Sequence, residues 1–456
     1  MLGGCAGSPL EAPSPVPGGG MPTSFSAEAE PGAPVWPESG WWRGFGSAEL
    51  DALLDEARAR SLDLGAAAAR VLQAEARARI AGAPLLPFVD ADASVARSGP
   101  VDGAGDHATR LGLSVAASYE VDFWGRNAAD LASARASLAA SRYDRETVAL
   151  TVTAAVASTY FQVLSLRDRL AIARLNLANA ERVLALVESR VRGGAASPLD
   201  LARQRSVVVS QRSALPPLAQ QEHEARMVLA FLLGRVPQGF QVTADSLAGL
   251  SAPRVAPGLP AALLARRPDI RRAEADLAAA SADVAAARAA FFPTVRISAA
   301  LASDAGTLGG LFQGANAAYA VGAALLQTIF DGGARRGAED LTLARRLELV
   351  HAYQASVIAA FVDVETALVD VRARGEQESL NAEEVAQALI AFELAEIRYR
   401  AGAEDLLAVL DAQRTLYQAQ DQLGQVRFDR FQAMVALFRA LGGGWRDTET
   451  AAATGD

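Results

Sequence analysis

The stretch VRGGAASPLD, residues 191–200, decides how this chain folds. On its N-terminal side run 67 residues, Arg126 to Arg192, without a proline or a glycine. On its other side Ser197 stands as a helix cap, with Pro198 at the first helical position and Asp200 in the first turn. Gly193-Gly194 stops the first helix so that the second can start. Uninterrupted helix from Arg126 to Arg192 would extend about 100 Å, far too long for a compact globular domain.

The same punctuation returns in YRAGAEDLLA, residues 399–408, where Gly402 is the stop and Asp405 the expected cap. Arg192-Gly193-Gly194 recurs as Arg400-Ala401-Gly402 (400 − 192 = 208), and Leu233-Gly234 as Leu441-Gly442 (441 − 233 = 208). Upstream, Asp63-Leu64 and an Ala-rich helix ending at Pro87 match Asp269-Ile270 and one ending at Pro293 (293 − 87 = 206). The chain is therefore an internal duplication, each copy running helix, strands, very long helix, tight turn, helix. The second long stretch, Arg336 to Arg400, holds one glycine, Gly375. Two shorter helices, Ala57 to Gly82 and Pro198 to Leu233, would together reach about 93 Å and pair antiparallel with the long one. Frequent alanine permits close helix approach. The turns would then lie about 100 Å from the strands.

Between the helices the pattern changes to period two. Val89, Ala91, Ala93 and Val95 are apolar against polar Asp90, Asp92 and Ser94, and Val295, Ile297, Ala299 and Leu301 repeat the pattern. Leu111, Leu113, Val115, Ala117, Tyr119, Val121 and Phe123 alternate likewise, whereas Ala317 to Phe330 alternates poorly. Such alternation marks membrane-spanning strands or half-buried strands of a soluble sheet. Gly-rich loops, Ser98 to His107 and Ser303 to Asn316, join them into two hairpins. Four strands cannot close a barrel, and lipid does not tolerate an open edge, so spanning strands must be pooled among subunits. The uncharged run Thr147 to Leu166 is long enough to cross a bilayer, but its threonines, serines and continuous charged flanks mark a buried part of a longer helix.

Composition narrows the function. All 43 basic residues are arginine, which removes the phosphate-binding lysine of Walker motifs, Schiff-base chemistry and lysine bases. His107, His223 and His351 are scattered without ligand spacing, so no metal site or cofactor is expected. The net charge of −9, with no basic patch, argues against nucleic acid. An enzyme is the least supported class. The single cysteine, Cys5, excludes an internal disulfide. Leu2-Gly3-Gly4-Cys5 resembles a bacterial lipobox, in which the cysteine is the lipidation site, and the Pro-, Gly- and Ser-rich run from Ala6 to Gly40 suits a tether. A free thiol in a loose tail is the other reading. The first basic residue is Arg43, so a secretory signal would have to begin upstream of Met1.

Several motifs, taken in order, carry a family likeness: Trp41-Trp42 with Phe45; Tyr119-Glu120-Val121-Asp122-Phe123-Trp124-Gly125-Arg126; Arg267-Pro268-Asp269-Ile270-Arg271; Phe292-Pro293; Ile329-Phe330-Asp331-Gly332-Gly333; Leu410-Asp411-Ala412-Gln413-Arg414; and Ala440-Leu441-Gly442-Gly443-Gly444-Trp445. From about residue 36 to 446 the chain resembles the TolC-like outer-membrane efflux channels, in particular the lipoprotein branch serving resistance-nodulation-division pumps. The resemblance implies a membrane β-barrel plus a long α-helical barrel. Four strands per chain would pool in a homotrimer into a 12-stranded barrel, with a small mixed α/β equatorial region. The segments would be an anchor and tether (1–40), equatorial segment and first helix (41–86), first β-hairpin (87–123), first long helical hairpin (126–234), equatorial segment (235–260), helix (261–292), second β-hairpin (293–330), second long helical hairpin (334–441) and tail (442–456).

The resemblance also assigns roles. Leu407 and Asp411 match the periplasmic gate, an apolar ring and a carboxylate ring one helical turn apart. Three copies of Asp411 would gather negative charge on the axis, favouring cations and making closure sensitive to pH or divalent ions. Tyr399, Arg398 and Arg400 match the region that stabilises the closed gate. Gly194, Ser197, Leu199 and Asp200, with Gly402 and Leu406, would meet a periplasmic adaptor (membrane fusion) protein. Trp41, Trp42 and Trp124 read as packing anchors. Asp411 in the second copy aligns with Arg203 in the first, which marks the second copy as the gating half. The implied function is an exit duct of a tripartite efflux pump, passing drugs or other small molecules outward. Its partners would be a proton-driven inner-membrane pump and outer-membrane lipid, with a palmitate-bearing Cys5. Alternatives are the duct of a type I protein secretion system and a soluble periplasmic coiled-coil scaffold.

Overall fold

The computed structural model describes Ser24, Phe25 and residues 36–101, 106–253 and 260–446. The described residues form two compact units: one within Ala69–Tyr143 and Ile270–Ser356, the other within Gly19–Ala68, Asp144–Asp269 and Val357–Asp456. Cys5 and most of the expected tether lie outside the described residues.

The duplication is expressed in helix lengths. Helix α3 covers Arg126–Arg192 and α4 Pro198–Leu232, 67 and 35 residues; their counterparts, α7 (Ala334–Arg400) and α8 (Leu406–Ala440), are again 67 and 35. Gly375 sits inside α7 without ending it, and α4 carries Pro216 and Pro217, each withdrawing one backbone donor from the helix.

Two expected helices are divided. The one read as Ala57 to Gly82 is α1 (Ala48–Arg60) followed by α2 (Leu62–Gly82), because Ser61 adopts ψ 128 between them. Ser47 starts α1 by accepting from the Leu50 amide. The helix expected over 261–292 is a short α5 (Leu263–Arg266) and then α6 (Pro268–Ala289). Arg267 takes an extended conformation, as the residue before a proline is driven to do.

In the first unit the strands form one antiparallel sheet in the order β1-β2-β3-β4: Phe88–Ser98, Ala108–Val121, Thr294–Ala305 and Ala317–Leu326. The register gathers the alternating apolar residues on one face. Ala91, Val115, Leu301 and Tyr319 form one row across the sheet, and Val89, Ala117, Ala299 and Val321 the next. The other face carries Asp92, Ser114, Ala302 and Ala318. β4 alternates after all, but in size: Tyr319, Val321 and Leu325 share the apolar face while Ala318, Ala320, Gly322 and Ala324 fill the opposite one. It ends at Leu326, leaving Ile329 and Phe330 exposed beyond it. The two hairpins are locked at their base, where Trp124 stacks on Phe292 (centroids 4.7 Å apart) and its indole N–H donates to the Pro293 carbonyl at 2.7 Å.

The second unit holds the main core. Trp41, Trp42 and Phe45 join Val156, Tyr160, Phe161 and Leu164 of α3, Leu229 of α4 and Phe431 and Phe438 of α8. Trp41 stacks on Phe438 with centroids 4.6 Å apart. The apolar run of α3 is thus committed to an internal core, as its sequence suggests. Glu49 is a hub: it accepts from the Thr243 and Ala244 amides (2.6 and 2.9 Å), the Thr243 hydroxyl and the Tyr160 hydroxyl. Arg167 of α3 donates to the Val242 and Ala244 carbonyls at 2.8 and 2.6 Å, and Asp168 accepts from the Leu247 amide. Among the described residues no strand forms between Leu232 and Pro260, so these side chains hold the equatorial segment in place of a ladder. Buried Arg267 plays the same part elsewhere, reaching Asp269, Asp363 and the Ala440 carbonyl.

Candidate gate and docking tip

Both helical turns are built alike. Gly194 (φ 74) and Gly402 (φ 78) occupy the left-handed region, where a side chain would be strained. Amides of Gly194 and Ala195 return to the Val191 and Arg190 carbonyls, and those of Gly402 and Ala403 to Tyr399 and Arg398. Ser197 and Asp200 close a reciprocal capping box on α4. The hydrogen bonds from the Ser197 amide and hydroxyl hold the Asp200 carboxyl below its ordinary range. Asp405 caps α8 by accepting from the Ala408 amide at 3.0 Å.

Between the turns, α3 and α7 are cross-linked. The Arg190 guanidinium lies 4.4 Å from the Tyr399 ring centroid and donates to the Tyr399 carbonyl. Tyr399 is 3 % exposed, and its hydroxyl meets no partner among the described residues. Burial raises its pKa, against the pull of Arg190. Arg182 and Arg400 both reach the buried Glu396, at 2.9 and 2.8 Å, whereas Arg398 turns to Glu404 at 3.2 Å. The structure therefore gives Tyr399 a contact with Arg190 and Arg400 an ion pair with Glu396, and leaves Arg398 outside both. Arg190, Arg182 and Glu396 were missed by sequence reasoning. The 208-residue offset, which sets Arg190 opposite Arg398, was the available signal.

Helix α8 separates two faces. Leu406, Val409, Gln413 and Leu416 turn inward, while Leu407 (58 % exposed), Asp411 and Arg414 face outward. Asp411 is not bare: Arg414, three residues on, binds it at 2.5 Å, with both side chains mostly exposed. Leu406, expected at the docking surface, is instead only 3 % exposed, because the first helical position directs it into the cluster of Val187, Tyr399 and Val409. Gly194, Ser197, Leu199 and Gly402 are exposed, and Asp200 is partly so.

A duplicated chain with two such helical hairpins and a four-stranded sheet of open edges defines a subunit of a pooled-barrel outer-membrane channel of the TolC type. The model for "Outer membrane efflux protein" matches residues 53–235 and 259–443, and the chain belongs to that family. It is 46% identical over 445 residues to the pyoverdine export outer membrane protein OpmQ of Pseudomonas putida, covering 95% of this chain and 93% of that one. It is 47% identical over 416 residues to the OpmQ of Pseudomonas aeruginosa, covering 89% and 87%. Among solved structures, the outer-membrane channel OprN superposes with a TM-score of 0.86 at 29% identity, covering 95% of this chain and 99% of that one.

Proposed function

We propose that three copies of this chain form the outer-membrane exit duct of a tripartite efflux pump and that its cargo is a small exported molecule of the pyoverdine kind. The observation that carries the reading is the β1–β4 sheet: its two edges are unpaired among the described residues and one face is apolar, with Tyr319, Val321 and Leu325 exposed. In lipid each unpaired edge group costs several kcal/mol, by an order-of-magnitude estimate, so the sheet must be closed by further copies. Cargo is suggested by the two OpmQ relatives, whose names state pyoverdine export.

In this reading Leu407 and Asp411 line the periplasmic gate, and the Tyr399 and Arg400 contacts stabilise the closed tip. Exposed Leu199, with the Gly194, Ser197–Asp200 and Gly402 turns, meets the adaptor, which couples the duct to the inner-membrane pump. Cys5 carries the lipid anchor in the outer membrane.

The test is complementation in a strain lacking its own pyoverdine export outer membrane protein. Restored pyoverdine in the medium is expected; pyoverdine retained in the periplasm despite a correctly inserted trimer would remove the cargo assignment. A Leu199→Asp variant should lose export while keeping conductance. Cys5→Ser should lose acylation, read by mass spectrometry, and an unchanged mass of the mature protein would remove the anchor.

A further inference from the structure

We propose that the groove between α4 and α8 is a holding site for a small organic anion, set beside the gate; this rests on the channel reading above. The groove measures about 740 Å³, within the range of pockets that enclose drug-sized molecules. Arg203 and Val207 of α4 form one wall, and Leu407, Leu410, Asp411 and Tyr417 of α8 the other. The lining is mixed in character, apolar side chains alternating with groups that fix orientation.

Charge selects the ligand class. Of the two carboxylates on the groove, Asp411 is held by Arg414 at 2.5 Å, and Asp421 is held by Arg169 through two bonds of 2.8 and 3.1 Å. Arg203 feels Asp200 one turn earlier but closes no ion pair among the described residues. The uncommitted charge is therefore positive. It stands at the position where the other copy carries Asp411, so the duplication has placed opposite charges on the two walls and then neutralised only the acidic one.

A second observation points to a hydrogen-bonding ligand. Gln413 borders the groove and is 1 % exposed; its amide N–H donates to the Tyr417 hydroxyl at 3.3 Å, and its carbonyl oxygen meets no donor among the described residues. That oxygen has almost no accessible surface, whereas the side chains of Ser206, Ser210 and Gln418 line the groove and are exposed to a ligand. The site thus asks for an anionic group at Arg203 and polar groups facing Ser206, Ser210 and Gln418: an organic acid bearing hydroxyl or amide groups.

Carboxyfluorescein, an organic anion with a phenolic donor, is a suitable probe for fluorescence anisotropy against the channel reconstituted in nanodiscs. Saturable binding is expected, and Arg203→Gln should weaken it about tenfold, the loss of one charge-assisted bond. Arg203→Lys should keep most of it, and Arg212→Gln, at an exposed arginine paired to Glu181, should leave it unchanged. Wild-type binding should also fall as salt rises. No saturable binding, salt-independent binding, or equal affinity in the Arg203→Gln and Arg212→Gln variants overturns the proposal. Crosslinking of a Ser206→Cys variant to a neighbouring copy also overturns it, since the groove is then filled by protein. Single-channel conductance of the same sample separates the two ideas: conductance without binding sinks only this proposal, and absent conductance sinks the channel reading.

Discussion

Arg190, near the end of the first long helix, covers the ring of Tyr399 near the end of the second, 4.4 Å from its centroid. The two residues are one position out of the 208-residue register, so this contact belongs to neither copy alone. It ties the two halves of the duplication together at the tip. The same guanidinium holds the Tyr399 carbonyl, which leaves α7 little freedom to move away from α3.

Replacing Arg190 with alanine removes a cation–π contact and a hydrogen bond to a charged donor, a loss of about 1–2 kcal/mol. The expected outcome is a tip that opens more often, seen as larger mean conductance in planar bilayers and sensitivity of the host to large antibiotics. Conductance equal to wild type would detach this contact from gating.

On the proposed gate assignment, Asp411→Ala should raise conductance. Arg414 changes what is expected of selectivity. With Arg414 bound, the exposed pair presents little net charge, and such pairs contribute only about 0–1 kcal/mol to stability. Arg414→Ala should therefore unmask the carboxylates and shift the reversal potential toward cations without unfolding the protein. A reversal potential that does not move in a salt gradient would contradict this.

Glu49 should make the equatorial region acid-labile. Burial alone would raise its pKa, but hydrogen bonds from Thr243, Ala244 and Tyr160 outweigh burial and hold it below its ordinary range. A carboxyl with a depressed folded pKa contributes stability that is complete above the unfolded value. That contribution is lost as pH falls through the folded one. Thermal melts between neutral pH and about pH 3 should show wild type losing stability in that acid window. Glu49→Gln should start about 2 kcal/mol lower and lose less on acidification.

Arg267→Ala takes the guanidinium away from the carboxylates of Asp269 and Asp363 and from the Ala440 carbonyl. The expected cost is about 1–3 kcal/mol, since the Asp269 and Asp363 side chains are 35% and 47% exposed and water takes up part of the loss. Lysine should rescue little, because the bidentate contact to Asp269 requires the guanidinium fork. Denaturant unfolding of the two variants, compared at one detergent concentration, checks this.

Much of the architecture was legible because it rests on local rules. The proline- and glycine-free run fixes α3, Gly194 and Gly402 fix the turns, and period two reveals β1 through β3. β4 was obscured because alanine and glycine are not polar, so its alternation in size is invisible to a polar–apolar reading. Ser61 broke a helix without a proline or glycine to announce it, whereas the break before Pro268 follows from a local rule. The tip contacts were the least legible part. Arg190 and Tyr399 lie 209 residues apart, and only the 208-residue offset of the duplication points from one segment toward the other. The Asp411–Arg414 pair lay at ordinary helical spacing within a motif already noted, yet its neutralising effect emerges only when both side chains are seen on one exposed face.

The central claim is that these chains pool their strands into a conducting outer-membrane tube, and single-channel recording of the detergent-purified protein, with its mass measured in the same preparation, tests it most directly. The account predicts discrete conductance steps from a species with the mass of three chains. A monomer that leaves the membrane fraction without detergent and passes no current would contradict it.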